Sequence, residues 1–406
     1  KMNDEKKGVK KMRTFAKSSK LDNVCYDIRG PVMDEANRMI EQGVEILKLN
    51  IGNPAPFGFK APQELVDMMR GNLENAEGYS DSKGLLKSRQ AIVEYCKKKN
   101  IPNVGVNDIY TGNGVSELIT LSMNGLLDNG DEVLVPSPDY PLWTASVTLA
   151  GGKAVHYLCD EQSNWYPDIA DMRKKITDKT KGIVIINPNN PTGAIMEQKD
   201  LEAIAKVIIE KDLYVLSDEI YSELTYKEDH VSIASIPDMQ ERTILINGFS
   251  KAFAMTGWRL GYVAAPRYMM KQMVKVHQFC IMAAPTTSQY AAIEAMRSCD
   301  DEVEEMRTAY NQRRRFLVHE FQRMGIECFE PEGAFYIFPS IKKFGMTSEE
   351  FATKLLNEEK VAIVPGSAFG ACGEGYLRVS YAYSIEELKE ALGRLERFIN
   401  HLPKKQ

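Results

Sequence analysis

Three stretches of this chain place reactive side chains directly after short β-branched runs. Residues 213–216 lead into Ser217, Asp218, Glu219, Ile220 and Tyr221, and residues 243–246 lead into Asn247, Gly248, Phe249, Ser250 and Lys251. Residues 182–186 lead into the segment NPNNPTG at 187–193, which carries Asn190. A carboxylate, a phenol, a lysine and an amide therefore project from strand ends toward one crevice. A lysine buried at such a point loses solvation, which lowers its pKa and frees the amine for imine chemistry. Any one of these residues alone would be an ordinary polar loop group; four together at strand termini point to a reaction site. A fourth stretch, Thr111 to Glu117 with Gly112 and Gly114, follows a strand and opens a helix. Free N–H groups and the helix dipole favour an anion there, although such glycine turns occur in many α/β proteins.

The elements that must hold these groups alternate in kind. From about residue 107 the pattern predicts strands at 109–111, 132–135, 154–158, 182–186, 213–216, 243–246 and 260–263, the second of them ended by Pro136. Helices are predicted at 115–127, 141–149, 169–176 and 201–210 from apolar residues at helical spacing. The unbroken apolar run at 182–186 is typical of a strand buried on both faces. Strands alternating with helices of this length imply an α/β fold with a mostly parallel sheet. In such sheets ligands bind beyond the carboxyl ends of the strands, where the reactive residues fall.

After Pro266 the chain turns helical, notably over 300–324, and a smaller α+β unit follows with strands near 334–338, 361–364 and 376–380. The segment up to Gly52 has no strand–helix repeat of its own and is expected to pack beside that unit. The expected division is an N-terminal arm and segment at 1–52, a large ligand-binding unit at 53–297 and a small C-terminal unit at 298–406.

Composition excludes several alternatives. With 406 residues, 44% hydrophobic and 26% charged, the chain reads as a soluble globular protein able to build its core without staples. A formal net charge of −5 argues against a general nucleic-acid binder. The basic start KMNDEKKGVKKMR reads as a solvated arm. Seven scattered cysteines without a CxxC pair suggest neither disulfides nor a zinc site, and reduced thiols fit a cytoplasmic location. The five histidines show no metal-ligand spacing, so no metal is assigned. No apolar run approaches the ~20 residues that cross a bilayer. The GNG at 112–114 lacks the third glycine of a dinucleotide fingerprint.

Taken together, SKAFAMTGWRLGY at 250–262, NPNNPTG at 187–193, SDEIY at 217–221 and LRVSYAYS at 377–384 resemble the hallmark segments of the class I aminotransferases. The resemblance runs from about residue 20 to the C-terminus. It implies the fold type I architecture of pyridoxal 5'-phosphate (PLP) enzymes, with residues 53–297 as the PLP-binding unit. By the same resemblance, Lys251 carries PLP as a Schiff base and shuttles the α-proton, and Asp218 pairs with the pyridine nitrogen. Asn190 and Tyr221 hydrogen-bond the 3'-oxygen. Arg259 binds the phosphate together with Gly114, Val115 and Ser116, and Ser250 is a further phosphate candidate. Tyr140 falls where the family stacks an aromatic ring on the cofactor. Tyr79 resembles the tyrosine that reaches the phosphate of a neighbouring subunit, which implies a homodimer.

For substrate, Arg378 matches the arginine that binds the α-carboxylate, and Gly52 the glycine whose backbone lies against the substrate. The segments SSKLDNVCYDIRGPV and LNIGNPAPFGF look closest to the bacterial alanine aminotransferase branch, whereas the region from Asn247 reads more like the aspartate and aromatic branch. Val115 stands where bacterial aspartate enzymes of this subgroup carry a lysine facing the distal carboxylate. Arg29 is the candidate for the second carboxylate of glutamate, and Tyr26 for the same pocket. The expected activity is ping-pong transfer from alanine to 2-oxoglutarate, giving pyruvate and glutamate. Aspartate or aromatic amino transfer is the alternative, followed by a PLP carbon–sulfur lyase. The partners implied are small amino acids and 2-oxo acids, with no nucleic acid and no membrane.

Overall fold

Successive side chains in a strand point to opposite faces, and in Thr180–Ile186 both faces are dry from residue 182 onward. Ile183 and Ile185 enter one apolar core while Val184 and Ile186 enter another. Helices close the sheet from both sides. Val115–Leu126 and Arg267–Cys280 bury Leu118, Met123, Met270 and Met273 on the Val184 side, and Gln198–Glu210 buries Leu201, Ile204 and Ile208 on the other. Truncating one such fully buried isoleucine to alanine costs about 2–5 kcal/mol.

The computed structural model describes residues 15–22, 24 and 30–403. In chain order the strands are β1 Leu47–Lys48, β2 Ile109–Gly112, β3 Glu132–Ser137, β4 Lys153–Asp160, β5 Tyr166–Pro167, β6 Thr180–Ile186 and β7 Tyr214–Asp218. They continue with β8 Thr243–Gly248, β9 Gly261–Ala264, β10 Tyr336–Ile337, β11 Val361–Ala362, β12 Val364–Pro365 and β13 Leu377–Ser380. Eight of them form one sheet in the order β2-β9-β8-β7-β6-β3-β4-β5. The inner strands β8, β7, β6, β3 and β4 run parallel. The fold is therefore α/β with a mostly parallel sheet.

The differences from the sequence reading have physical reasons. The strand expected at 260–263 is β9, but it runs antiparallel to both β8 and β2. It follows β8 through a loop rather than a crossover helix, and only antiparallel neighbours are joined that way. Pro136 does not end β3. The strand continues to Ser137 beside β4, while its pairing with β6 stops at Leu134, so the missing proline N–H faces no ladder partner. The strands expected to end at residues 216 and 246 each run two residues further, β7 to Asp218 and β8 to Gly248. The strand expected at 361–364 is split into β11 and β12, which pair with different partners.

Among the described residues before 107 there are three α-helices that the periodicity did not single out: Pro31–Glu41, Gln63–Gly71 and Leu86–Lys98. Their N-caps are Gly30, Pro62 and Leu85, none with a side-chain cap bond, so the usual start signal is missing. By contrast Thr347 and Ser384 open their helices with full capping boxes. β1 pairs parallel with β11, and Val32, Met33, Ala36 and Leu49 share one core with Leu317, Phe351 and Leu388. Tyr221 and Leu224, just beyond β7, belong to that same core. The turn after β7 is thus where the sheet meets the C-terminal layer, and a cavity opens there.

Candidate active site

Strand ends deliver the first groups. Asp218, 4% exposed, has its Oδ1 fixed by the backbone N–H of Ile220 at 3.2 Å and its Oδ2 by the indole N–H of Trp143 at 3.3 Å. No described lysine or arginine forms an ion pair with it, and burial pushes its pKa up to about 6. A carboxylate held this way calls for a cationic or N–H partner. Lys251 lies in the loop joining β8 to β9, with its ammonium donating to the Gly52 carbonyl at 2.5 Å. Burial, with Arg378 and Arg259 nearby, lowers its pKa to about 8, against a smaller opposing pull from Asp218. Its neutral amine is accessible near neutral pH, as a nucleophile requires.

The same loop carries Arg259 in the left-handed region at φ +53°, a conformation that costs a non-glycine residue about 1–2 kcal/mol. The guanidinium donates to the Thr256 carbonyl at 2.8 Å and to the Asn113 carbonyl at 3.1 Å. That brings it against Gly114, at φ +86°, where an added Cβ would sit 2.6 Å from Nη2. Gly114 is the N-cap of helix Val115–Leu126. Its first N–H groups and Arg259 make a ready cradle for a phosphate.

Arg378 projects from β13 and is 3% exposed. Nη1 donates to Asn190 Oδ1 and Nη2 to the Asn50 carbonyl, each at 2.9 Å, while Nε has no partner among the described residues. Its guanidinium lies over the rings of Tyr336 at 4.3 Å and Phe369 at 4.8 Å. No described carboxylate pairs with it. A buried arginine without an anion is costly unless an anionic ligand completes it.

One cavity of about 550 Å³ gathers these groups. Of the residues anticipated from sequence, Lys251, Asp218, Tyr221, Asn190, Arg259, Arg378, Ser250, Val115, Ser116, Tyr140 and Gly52 all line it. Gly114 sits behind, against Arg259. Tyr79 does not line it and is 90% exposed. Tyr26 and Arg29 lie outside the described residues. Sequence reasoning missed Trp143, Asn50 and Tyr336. Trp143 follows Tyr140 by one helical turn, a spacing that could have marked it; Asn50 acts through its backbone, which no side-chain pattern reveals.

A buried carboxylate, a lysine of lowered pKa, an anion cradle and an uncompensated arginine fit PLP and an amino-acid carboxylate. Residues 44–395 match the family model "Aminotransferase class I and II". The chain belongs to this aminotransferase family. The aminotransferase is 46% identical over 403 residues to the "Glutamate-pyruvate aminotransferase AlaA" of Haemophilus influenzae, covering 96% of this chain and 99% of that one. Among solved structures it resembles an aminotransferase from Escherichia coli at 40% identity and a TM-score of 0.92, covering 97% of this chain and 100% of that chain. An alanine aminotransferase from Pyrococcus furiosus matches at 37% identity and a TM-score of 0.90, covering 95% and 100%. The aminotransferase uses PLP, the cofactor of its family. Among the described residues no helix is long and apolar enough to cross a membrane.

Proposed function

We propose that this aminotransferase moves the amino group of alanine to 2-oxoglutarate, giving pyruvate and glutamate, in two half-reactions at one site. The observation that carries the reading is Arg378, a buried guanidinium with a free Nε and no described counter-ion, lining the same cavity as Lys251. Its planar fork suits the α-carboxylate common to every substrate.

When bound, PLP supplies the electron sink and carries the nitrogen from the first substrate to the second. Lys251 would anchor it and, once released, would carry the proton from the substrate α-carbon to the cofactor C4' carbon, and back in the reverse half-reaction. Asp218 would pair with the ring nitrogen and keep it protonated. Asn190 and Tyr221 would bind the 3'-oxygen, and Asn190 also accepts from Arg378. Arg259, Ser250 and the N–H groups of Val115 and Ser116 would hold the phosphate, Tyr140 would support the ring, and Gly52 would leave room for substrate.

The choice of alanine and glutamate is supported by the names of the relatives above and by Val115. Its apolar side chain lines the cavity, so an aspartate side chain would lose hydration there with less compensation than a lysine at that position would give. Arg29 is proposed for the distal carboxylate of glutamate, and Tyr26 for the same pocket. Titrating the yellow holoenzyme tests the pair. Alanine or glutamate should bleach the visible band, and pyruvate or 2-oxoglutarate should restore it. Bleaching mainly by aspartate or phenylalanine would contradict the assignment, as would release of pyruvate and ammonia without any oxo acid.

Tyr79 is exposed and away from its own cavity, which supports a homodimer in which it reaches the phosphate of the second copy. Sedimentation at micromolar concentration should show a dimer, and Tyr79→Ala should weaken PLP retention about tenfold. A monomer with full activity would exclude this arrangement. The six described cysteines are free, which supports a reducing cytoplasm as the location.

A further inference from the structure

Resting on the PLP reading above, we propose that Tyr336 is a positioning residue that couples the substrate anchor Arg378 to the cofactor-tuning phenol Tyr221. Strand register brings it there. Tyr336 on β10 pairs with Ser380 on β13, so Arg378, two residues earlier, is its diagonal neighbour on the same face. The guanidinium of Arg378 lies over the Tyr336 ring at 4.3 Å and over the ring of Phe369 at 4.8 Å. The Tyr336 hydroxyl accepts a hydrogen bond from the hydroxyl of Tyr221 at 3.1 Å. The Tyr221 and Tyr336 rings meet edge to face with centroids 5.9 Å apart.

The hydroxyl is also wedged against the backbone of Gly52. A Cβ added there would sit 2.0 Å from Tyr336 Oη, and the Gly52 carbonyl is the acceptor for Lys251. Tyr336 is 3% exposed and lines the cavity. One side chain therefore touches Arg378, Tyr221 and Gly52 at once.

Two consequences separate its ring from its hydroxyl. The ring holds the guanidinium face through a cation–π contact, so it governs how well the α-carboxylate is received. The hydroxyl can give or take a proton, because phenol hydrogens rotate. With the Tyr221 proton committed to the cofactor's 3'-oxygen, Tyr336 becomes the donor to Tyr221. A hydroxyl that accepts a hydrogen bond is itself a stronger donor. Tyr336 thereby strengthens the hold of Tyr221 on that oxygen and lowers the proton affinity of the lysine–cofactor nitrogen beside it.

The test uses holoenzyme carrying Tyr336→Phe or Tyr336→Leu. Phenylalanine keeps the ring and removes only the hydroxyl. The pH midpoint of the visible absorbance band should rise by about half a unit, with KM for alanine and glutamate within about twofold of the parent. Leucine removes both functions, and KM for both substrates should rise about fivefold or more. An unmoved midpoint in Tyr336→Phe overturns the coupling even if Tyr336→Leu is too unstable to purify. An unchanged KM in a folded Tyr336→Leu enzyme overturns the support of Arg378. A parent enzyme without any PLP band would instead overturn the cofactor reading, and this inference with it.

Discussion

Replacing Lys251 with alanine should reduce amino-group transfer by about ten-thousandfold or more, because one side chain is both covalent anchor and proton carrier. The other lysine lining the cavity is Lys48 on β1, and among the described residues it makes no hydrogen bond to the Gly52 carbonyl, which Lys251 holds. PLP should still enter, held by Arg259, the helix N-terminus at Val115 and Asp218, but as free aldehyde or as the amino acid adduct. The parent apoenzyme gives a matching pH signature. The pKa of Lys251 is lowered to about 8, so the amine is protonated below that pH and neutral above it. Only the neutral amine attacks a carbonyl, so PLP uptake should accelerate as pH rises through about 8 and level off beyond. Stopped-flow absorbance reads both effects; an uptake rate indifferent to pH, or a Lys251→Ala enzyme with near-normal turnover, would remove Lys251 from its role.

Arg378→Ala should lower kcat/KM about 10²–10³-fold for alanine, glutamate and every other accepted amino acid alike. Two effects act together. The variant loses a two-pronged charge-assisted contact to the carboxylate, and it strands Asn190 Oδ1 and the Asn50 carbonyl, both now satisfied by the guanidinium. Arg378→Lys should recover little, because an ammonium cannot span those two acceptors and the substrate in one plane. Steady-state kinetics across four amino acids decides the matter. A loss confined to one substrate would mean that Arg378 reads side chains rather than the shared carboxylate.

The letters that reveal this site are those whose neighbours in sequence are also their neighbours in space. Asp218 and Lys251 follow apolar runs that can only be buried strands, and Gly114 opens a helix directly after one, so strand-end logic finds them. Tyr336 is different. It reads as another core aromatic in an apolar stretch, and its meaning comes from Tyr221, 115 residues away, and from the register between β10 and β13. Trp143 likewise acquires its partner Asp218 across 75 residues. The direction of β9 was illegible for a related reason: four buried residues carry no mark of which way a strand runs. The early helices stayed hidden because glycine, proline and leucine stand where capping side chains usually announce a start.

Lys251 is the residue proposed to bear the cofactor. Borohydride reduction of the holoenzyme, followed by proteolysis and mass mapping, tests it most directly, because reduction makes the lysine–PLP bond permanent. One phosphopyridoxyl group per chain is expected, on the peptide containing Lys251. The same label on another lysine, or no label on a protein that retains its yellow band, would contradict it.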